Sequence, residues 1–172
     1  VFLADGFEEI EALTQVDYLR RAGIEVSTCG IGSMLVTGSK GIKVVPDMPV
    51  EKASLDNADM LILPGGLGGV KGISESECAM NLIRGAYAAG IRISAICAAP
   101  TILASLGLLK GKKCVCYPSM LEEVCAESAV VCDGMFITAK AAGASEEFSF
   151  AIIEALKSKA AALSVKESIC AR

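Results

Sequence analysis

The sequence contains no histidine and no tryptophan. Without an imidazole, Cys–His and Ser–His dyads are excluded within the chain, and so is every histidine-bearing metal site. A cysteine-only zinc site would show paired C-x-x-C knuckles. Cys114-x-Cys116 is one residue too tight, and no metal is expected. Charge of one sign is also missing as a patch. The 16 basic residues are scattered among 20 acidic ones, for a net charge of −4, so nucleic acid is not an expected partner. The longest charge-free stretch, residues 93–109, approaches the ~18 residues of a membrane span. It contains Pro100 and Gly107 and divides into a strand and a helix, so it reads as buried core and no membrane partner is expected. No secretory leader is visible, and the first strand is expected to be cut short at Val1. Most of the eight cysteines are therefore expected to be reduced thiols of a cytoplasmic protein, not a disulfide framework.

What is present is an apolar chain with regular punctuation. With 53% hydrophobic and 21% charged residues over 172 positions, one globular domain spanning residues 1–172 is expected. Val1–Ala4 reads as a strand and Glu8–Ala22 as a helix with Ile10, Leu13, Val16 and Leu19 on its apolar face. Ile24–Cys29 alternates as a second strand. Residues 34–37 and 42–45 read as a hairpin, and Met60–Leu63 as a buried strand before the glycine-rich loop Pro64–Gly69. Ser74–Ala89 reads as a helix and Ile91–Ile96 as a strand. Lys113–Tyr117 reads as a further strand and Met120–Ala126 as a short helix. Asp133-Gly134 marks a second hairpin, and two amphipathic helices, Ser145–Lys157 and Ala160–Ile169, close the chain. Apolar strands alternating with helices predict an α/β fold, a mostly parallel sheet covered on both faces. Ligands in such folds bind beyond the carboxyl ends of the strands, which gathers the Asp5–Glu11 turn, the glycine loop and Cys97 on one edge.

Cys97 sits where the Ile91 strand meets the helix opened by Pro100, flanked as Ala95-x-Cys97-x-Ala99. The pattern parallels the Gly-x-Ser-x-Gly elbow, in which small neighbours let a sharp turn close beneath a nucleophile. Two readings fit these residues equally: a reactive thiol favoured by helix N–H groups, and a buried core thiol. An unassisted thiol is only about 3% ionised at neutral pH. The candidates for assistance are the backbone N–H groups of the glycine loop and the glutamates Glu8, Glu9 and Glu11. A glutamate beside a thiolate has to be protonated, with a raised pKa, and can then move protons. The competing reading of these glutamates is helix N-terminal stabilisation on a solvated surface. Cys78 and Cys125, on helices, are candidate surface thiols; Cys29, Cys114 and Cys132, on strands, are expected to be buried.

Five stretches then acquire a joint meaning: residues 4–12 (ADGFEEIEA), 19–24 (LRRAGI), 63–66 (LPGG), 94–100 (SAICAAP) and 142–148 (AGASEEF). In this order they resemble the ThiJ/PfpI superfamily, in the branch of the Parkinsonism-associated protein deglycase. The resemblance implies a flavodoxin-like three-layer sandwich and a homodimer, with no cofactor. It implies that Cys97 is the elbow thiolate, Glu11 its protonated partner, and Gly66 the source of a backbone N–H near the sulfur, with Ala98 beside it. Arg21 resembles the family arginine near the dimer interface, and Lys40 stands where a second arginine often occurs. Tyr117-Pro118 stands where many relatives carry His-Pro, which speaks against peptidase chemistry, and Ala141-Ala142 stands where a Gly-Pro step is common. Two functions are implied: an enzyme acting on reactive dicarbonyls such as methylglyoxal or on glycated thiols and amines, and an oxidative-stress sensor in which Cys97 becomes a sulfinate.

Overall fold

The computed structural model describes residues 1–122 and 127–171. The first half contains β1 (Phe2–Leu3), α1 (Glu9–Arg21), β2 (Cys29–Gly30), the strands β3 (Val36–Thr37) and β4 (Lys43–Val44), and β5 (Met48–Pro49). Then follow β6 (Met60–Leu63), α2 (Leu67–Glu75), α3 (Glu77–Ala88), β7 (Arg92–Ile96) and α4 (Pro100–Ser105). The hairpin β8 (Val130–Asp133) and β9 (Phe136–Ala139) and the helices α5 (Ser145–Leu156) and α6 (Lys159–Ser168) complete it. β1, β2 and β5 pair in parallel, as do β6, β7 and β9. β1 packs beside β6, which sets the two groups edge to edge. β8 joins antiparallel on the outer side of β9, and β3–β4 is the separate antiparallel hairpin read from the sequence.

Strand residues alternate between two apolar layers, as a pleat requires. Leu61, Leu63, Ile93, Ala95 and Phe136 face one layer, against Ile73 and Ile83 of α2 and α3 and Ile102 of α4. Ile62, Ile96, Ile137 and Ala139 face the other, against Leu19 of α1, Phe148 and Ile152 of α5 and Val165 of α6. Because both faces are covered, these strands read as continuous apolar runs. Each such large side chain contributes about 1.5–3 kcal/mol on burial. The result is the three-layer sandwich expected from the sequence.

Five local expectations change. The Ser74–Ala89 helix is two helices and begins earlier, at Leu67, so the glycine loop shortens to Pro64–Gly66. The break falls at Ser76, which is extended and caps α3 by accepting the Ala79 N–H at 3.3 Å. Ile24–Thr28 keeps its side-chain alternation, but only Cys29 and Gly30 join the ladder. Lys113–Tyr117 forms no ladder: its N–H groups at 113, 115 and 117 go instead to Asp133 Oδ2, Thr138 Oγ1 and the Cys97 carbonyl. Cys132 is exposed, because β8 is an edge strand with one open face. Residues 120–122 of the expected Met120–Ala126 helix are not helical, and the rest of it, with Cys125, lies outside the described residues. Among the described residues no helix is long and apolar enough to cross a membrane.

Candidate active site

β7 ends at Ile96 and α4 starts at Pro100, which fills the first helical position as its missing N–H allows. Between them the chain turns through Cys97 with φ at +62°. A left-handed conformation costs a residue with a side chain roughly 1–2 kcal/mol and persists only where the surroundings hold it. Here they do. The Cys97 N–H donates to the Ala139 carbonyl at 2.9 Å, and the Cys97 carbonyl accepts from the Tyr117 N–H at 2.8 Å and the Cys116 thiol at 3.0 Å. Ala95, Ala98 and Ala99 are buried around the turn, the small neighbours a tight elbow needs. The thiol itself is half-buried.

Helix α1 delivers the second group. Glu8 caps it, its carboxylate accepting the Glu11 N–H at 2.8 Å. Three residues on, the Glu11 side chain is 1% exposed and lies against the elbow. The Gly65 N–H donates to Glu11 Oε2 at 3.0 Å, and the carboxyl also interacts with the Cys97 thiol and the Ala142 N–H. Its Oε1 is buried without a partner of good hydrogen-bond geometry. Burial pushes Glu11 up to about 7, and the neighbouring Glu8 charge adds to the push. The thiol, Gly65 and Ala142 pull in the opposite direction. The solvated-surface reading of these glutamates is overturned: Glu9 and Glu11 are both buried and Glu8 is half-buried.

Burial also pushes the Cys97 thiol up to about 12, with the Glu11 charge second and its hydrogen bond to the thiol third. The N–H groups of Ala98 and Gly66 oppose this. The helix-opening N–H groups expected to favour a thiolate are present, but burial and an ionised Glu11 outweigh them. The Glu11 contribution vanishes once that carboxyl takes a proton, so the two groups titrate as one coupled pair in which the protonated carboxyl is the condition for a thiolate.

The glycine loop is shaped by close approach. Gly66 has φ at +85°, and a Cβ there would strike the Gly6 carbonyl and the Glu8 N–H. A Cβ on Gly65 would meet the Glu11 carboxyl, and Cys97 Cβ at 2.7 Å. Two adjacent glycines let the backbone come within hydrogen-bond reach of both the carboxyl and the sulfur.

The family model of the DJ-1/PfpI family matches residues 1–155. The chain belongs to the DJ-1/PfpI family. Drosophila melanogaster dj-1beta is 39% identical over 166 residues, 92% of this chain and 89% of that protein. The crystal structure of Drosophila DJ-1beta matches with a TM-score of 0.94 at 36% identity, covering 99% of this chain and 96% of that one. A Caenorhabditis elegans relative named glutathione-independent glyoxalase DJR-1.2 is 29% identical over 169 residues, 95% of this chain and 90% of that protein. A structure described as Toxoplasma gondii DJ-1, oxidized, matches with a TM-score of 0.93 at 30% identity, covering 99% and 96%. These likenesses fix the flavodoxin-like fold of the DJ-1/PfpI family.

Of the residues singled out in the sequence, the structure brings together Cys97, Glu11, Gly66 and Ala98, with the Tyr117 backbone on the elbow and its ring exposed. Arg21 and Lys40 lie elsewhere. Arg21 is exposed at the far end of α1, ten residues and about 15 Å of helix from Glu11, and pairs with Asp17 at 2.8 Å. Lys40 is exposed at the β3–β4 turn. The glycine-loop donor expected from the sequence is Gly65 as well as Gly66. Two contributors escape sequence reasoning, the Ala142 N–H and the Cys116 thiol, because both reach the site from segments distant in sequence and leave no local pattern.

Proposed function

We propose that this DJ-1/PfpI chain converts small reactive dicarbonyls of the methylglyoxal class through a covalent adduct on Cys97. The observation that carries the reading is the buried Glu11 carboxyl, one oxygen unpartnered, set against a thiol on a strained elbow. In the proposed sequence Cys97 passes its proton to Glu11, and the sulfur adds to the aldehyde carbon. The oxyanion formed accepts from the Gly66 N–H and takes the proton back from Glu11, giving a hemithioacetal. Glu11, now a carboxylate, removes the hydrogen from the former aldehyde carbon as a proton and returns it to the neighbouring carbon, while the hemithioacetal hydroxyl proton passes to the former ketone oxygen, which leaves a 2-hydroxy thioester. Water then releases lactate and the thiol. No histidine is called on at any step. The name of the C. elegans relative supports this substrate class, and glycated thiols and amines fall within the same chemistry. The deciding measurement is lactate formed from methylglyoxal without glutathione. Wild type should exceed the uncatalysed rate and Cys97→Ala should not. Equal rates for the two would overturn the reading.

The oxidised state of the T. gondii relative favours a second reading, in which Cys97 takes two oxygens from two equivalents of hydroperoxide and becomes a sulfinate that other proteins read. Stoichiometric oxidation at Cys97 with no dicarbonyl turnover would support it. We further propose a cytoplasmic location, in which the remaining thiols stay reduced. Ile10, Met34, Leu35, Ile42 and Val45, exposed on α1 and around the β3–β4 hairpin, support the homodimer implied by resemblance. Light scattering tests it.

A further inference from the structure

The Cys97 carbonyl is held by two donors from one segment, the Tyr117 N–H at 2.8 Å and the Cys116 thiol at 3.0 Å. The backbone donor is available with any residue but proline at 117. The thiol donor depends on the identity of residue 116. Cys116 is 1% exposed, and its segment has no ladder of its own. That segment is pinned at alternate residues by Asp133, Thr138 and the elbow. Cys116 thus stands between β9 and Cys97, the residue of the site that carries a side chain at positive φ, where +62° needs outside support.

We propose that Cys116 is a positioning residue for the elbow. Its S–H donates to the Cys97 carbonyl, holds the left-handed backbone, and so aims the Cys97 sulfur at Glu11 and at the N–H groups of Gly66 and Ala98. The inference rests on the proposed role of Cys97, but its test does not require turnover.

The test is peptide-mapped alkylation of Cys97 by iodoacetamide from about pH 5 to about pH 10 in wild type, Cys116→Ala, Cys116→Ser and Cys114→Ala. Losing one hydrogen bond to the elbow should slow Cys97 alkylation about fivefold to tenfold in Cys116→Ala and displace its pH midpoint. Cys116→Ser, which keeps a donor, should restore most of the rate. Cys114→Ala removes an equally buried neighbouring thiol and should lower the melting temperature without moving the Cys97 profile. Cys116→Val, close in volume but without a donor, replaces the alanine variant if the latter does not fold. A wild-type profile in Cys116→Ala or Cys116→Val overturns the proposal, as does an equal displacement in Cys114→Ala. If wild type fails to turn over methylglyoxal, the functional reading falls while the alkylation result still decides the role of Cys116. If turnover is present, kcat should fall in Cys116→Ala with KM unchanged.

Discussion

Glu9 and Glu11 sit two residues apart in the first turn of α1, and both are buried, yet they answer burial in opposite ways. Glu9 is 4% exposed and turns toward the β3–β4 hairpin. There it accepts the Lys40 N–H at 2.6 Å, the Ser39 hydroxyl at 3.1 Å and the Ile42 N–H at 3.4 Å. Burial works against its charge, and these donors outweigh burial, so its pKa is lowered. Glu11 turns toward the elbow, where Gly65 provides one hydrogen bond of good geometry and Oε1 has none. Its pKa rises to about 7, with burial the leading cause. Donors and depth together decide which carboxyl stays ionised: Glu9 lies just beneath the surface among several donors, and Glu11 lies deeper with fewer. The first is a structural clamp on the hairpin, and the second is left able to exchange a proton.

Breaking this contrast should give its largest effect on chemistry. Glu11→Gln should reduce lactate formation from methylglyoxal about 10²- to 10⁴-fold, the span of a positioned acid–base group, whereas Glu9→Gln should leave turnover near wild type. Comparable losses in both variants would place Glu11 in the architecture alone.

The next effect is on stability and has opposite signs at the two sites. Folded Glu11 holds its proton up to about 7, while the unfolded side chain releases it near 4.5. Its contribution is therefore fully present below about pH 4.5 and is lost as pH rises through about 7, a change of about 3 kcal/mol. Urea unfolding at mildly acidic and mildly alkaline pH should show wild type losing ground to Glu11→Gln as pH rises. Glu9 runs the other way. Its lowered pKa gives stability above the unfolded value that is lost on acidification, so Glu9→Gln should cost about 2 kcal/mol at neutral pH and progressively less in acid. A parallel pH response in the two variants would refute the comparison.

The smallest expected effect sharpens the link between the two. Glu8→Ala removes the cap of α1, at about 1 kcal/mol. It also removes the charge that adds to the Glu11 shift, so an NMR titration should find Glu11 closer to its ordinary value.

Much of this was legible in the sequence, and the boundary is physical. The elbow announces itself locally, through an apolar run, small residues around Cys97 and Pro100 just beyond. The parallel sheet follows from apolar strands between helices, and the Asp133-Gly134 hairpin from its turn residues. Contacts made by backbone N–H groups from distant segments have no such signature. Nothing near Glu9 says that residues 39–42 will close over it, and nothing near Glu11 says that Gly65 donates to it. The Lys113–Tyr117 segment shows the same limit in reverse. Its composition reads as a strand, but its N–H groups find side chains and a carbonyl instead of a ladder. Cys132 was misplaced because alternation cannot distinguish an edge strand from a central one.

The left-handed backbone at Cys97 also carries a record that selection would leave behind. Glycine adopts that conformation freely, whereas every side chain there is held at a cost. A descendant lineage that no longer used the thiol would relieve that backbone cost by exchanging Cys97 for glycine, set against the loss of the side chain's packing and of its contact with Glu11. Retention of cysteine at this position over long divergence would therefore measure use of the sulfur, independently of any assay.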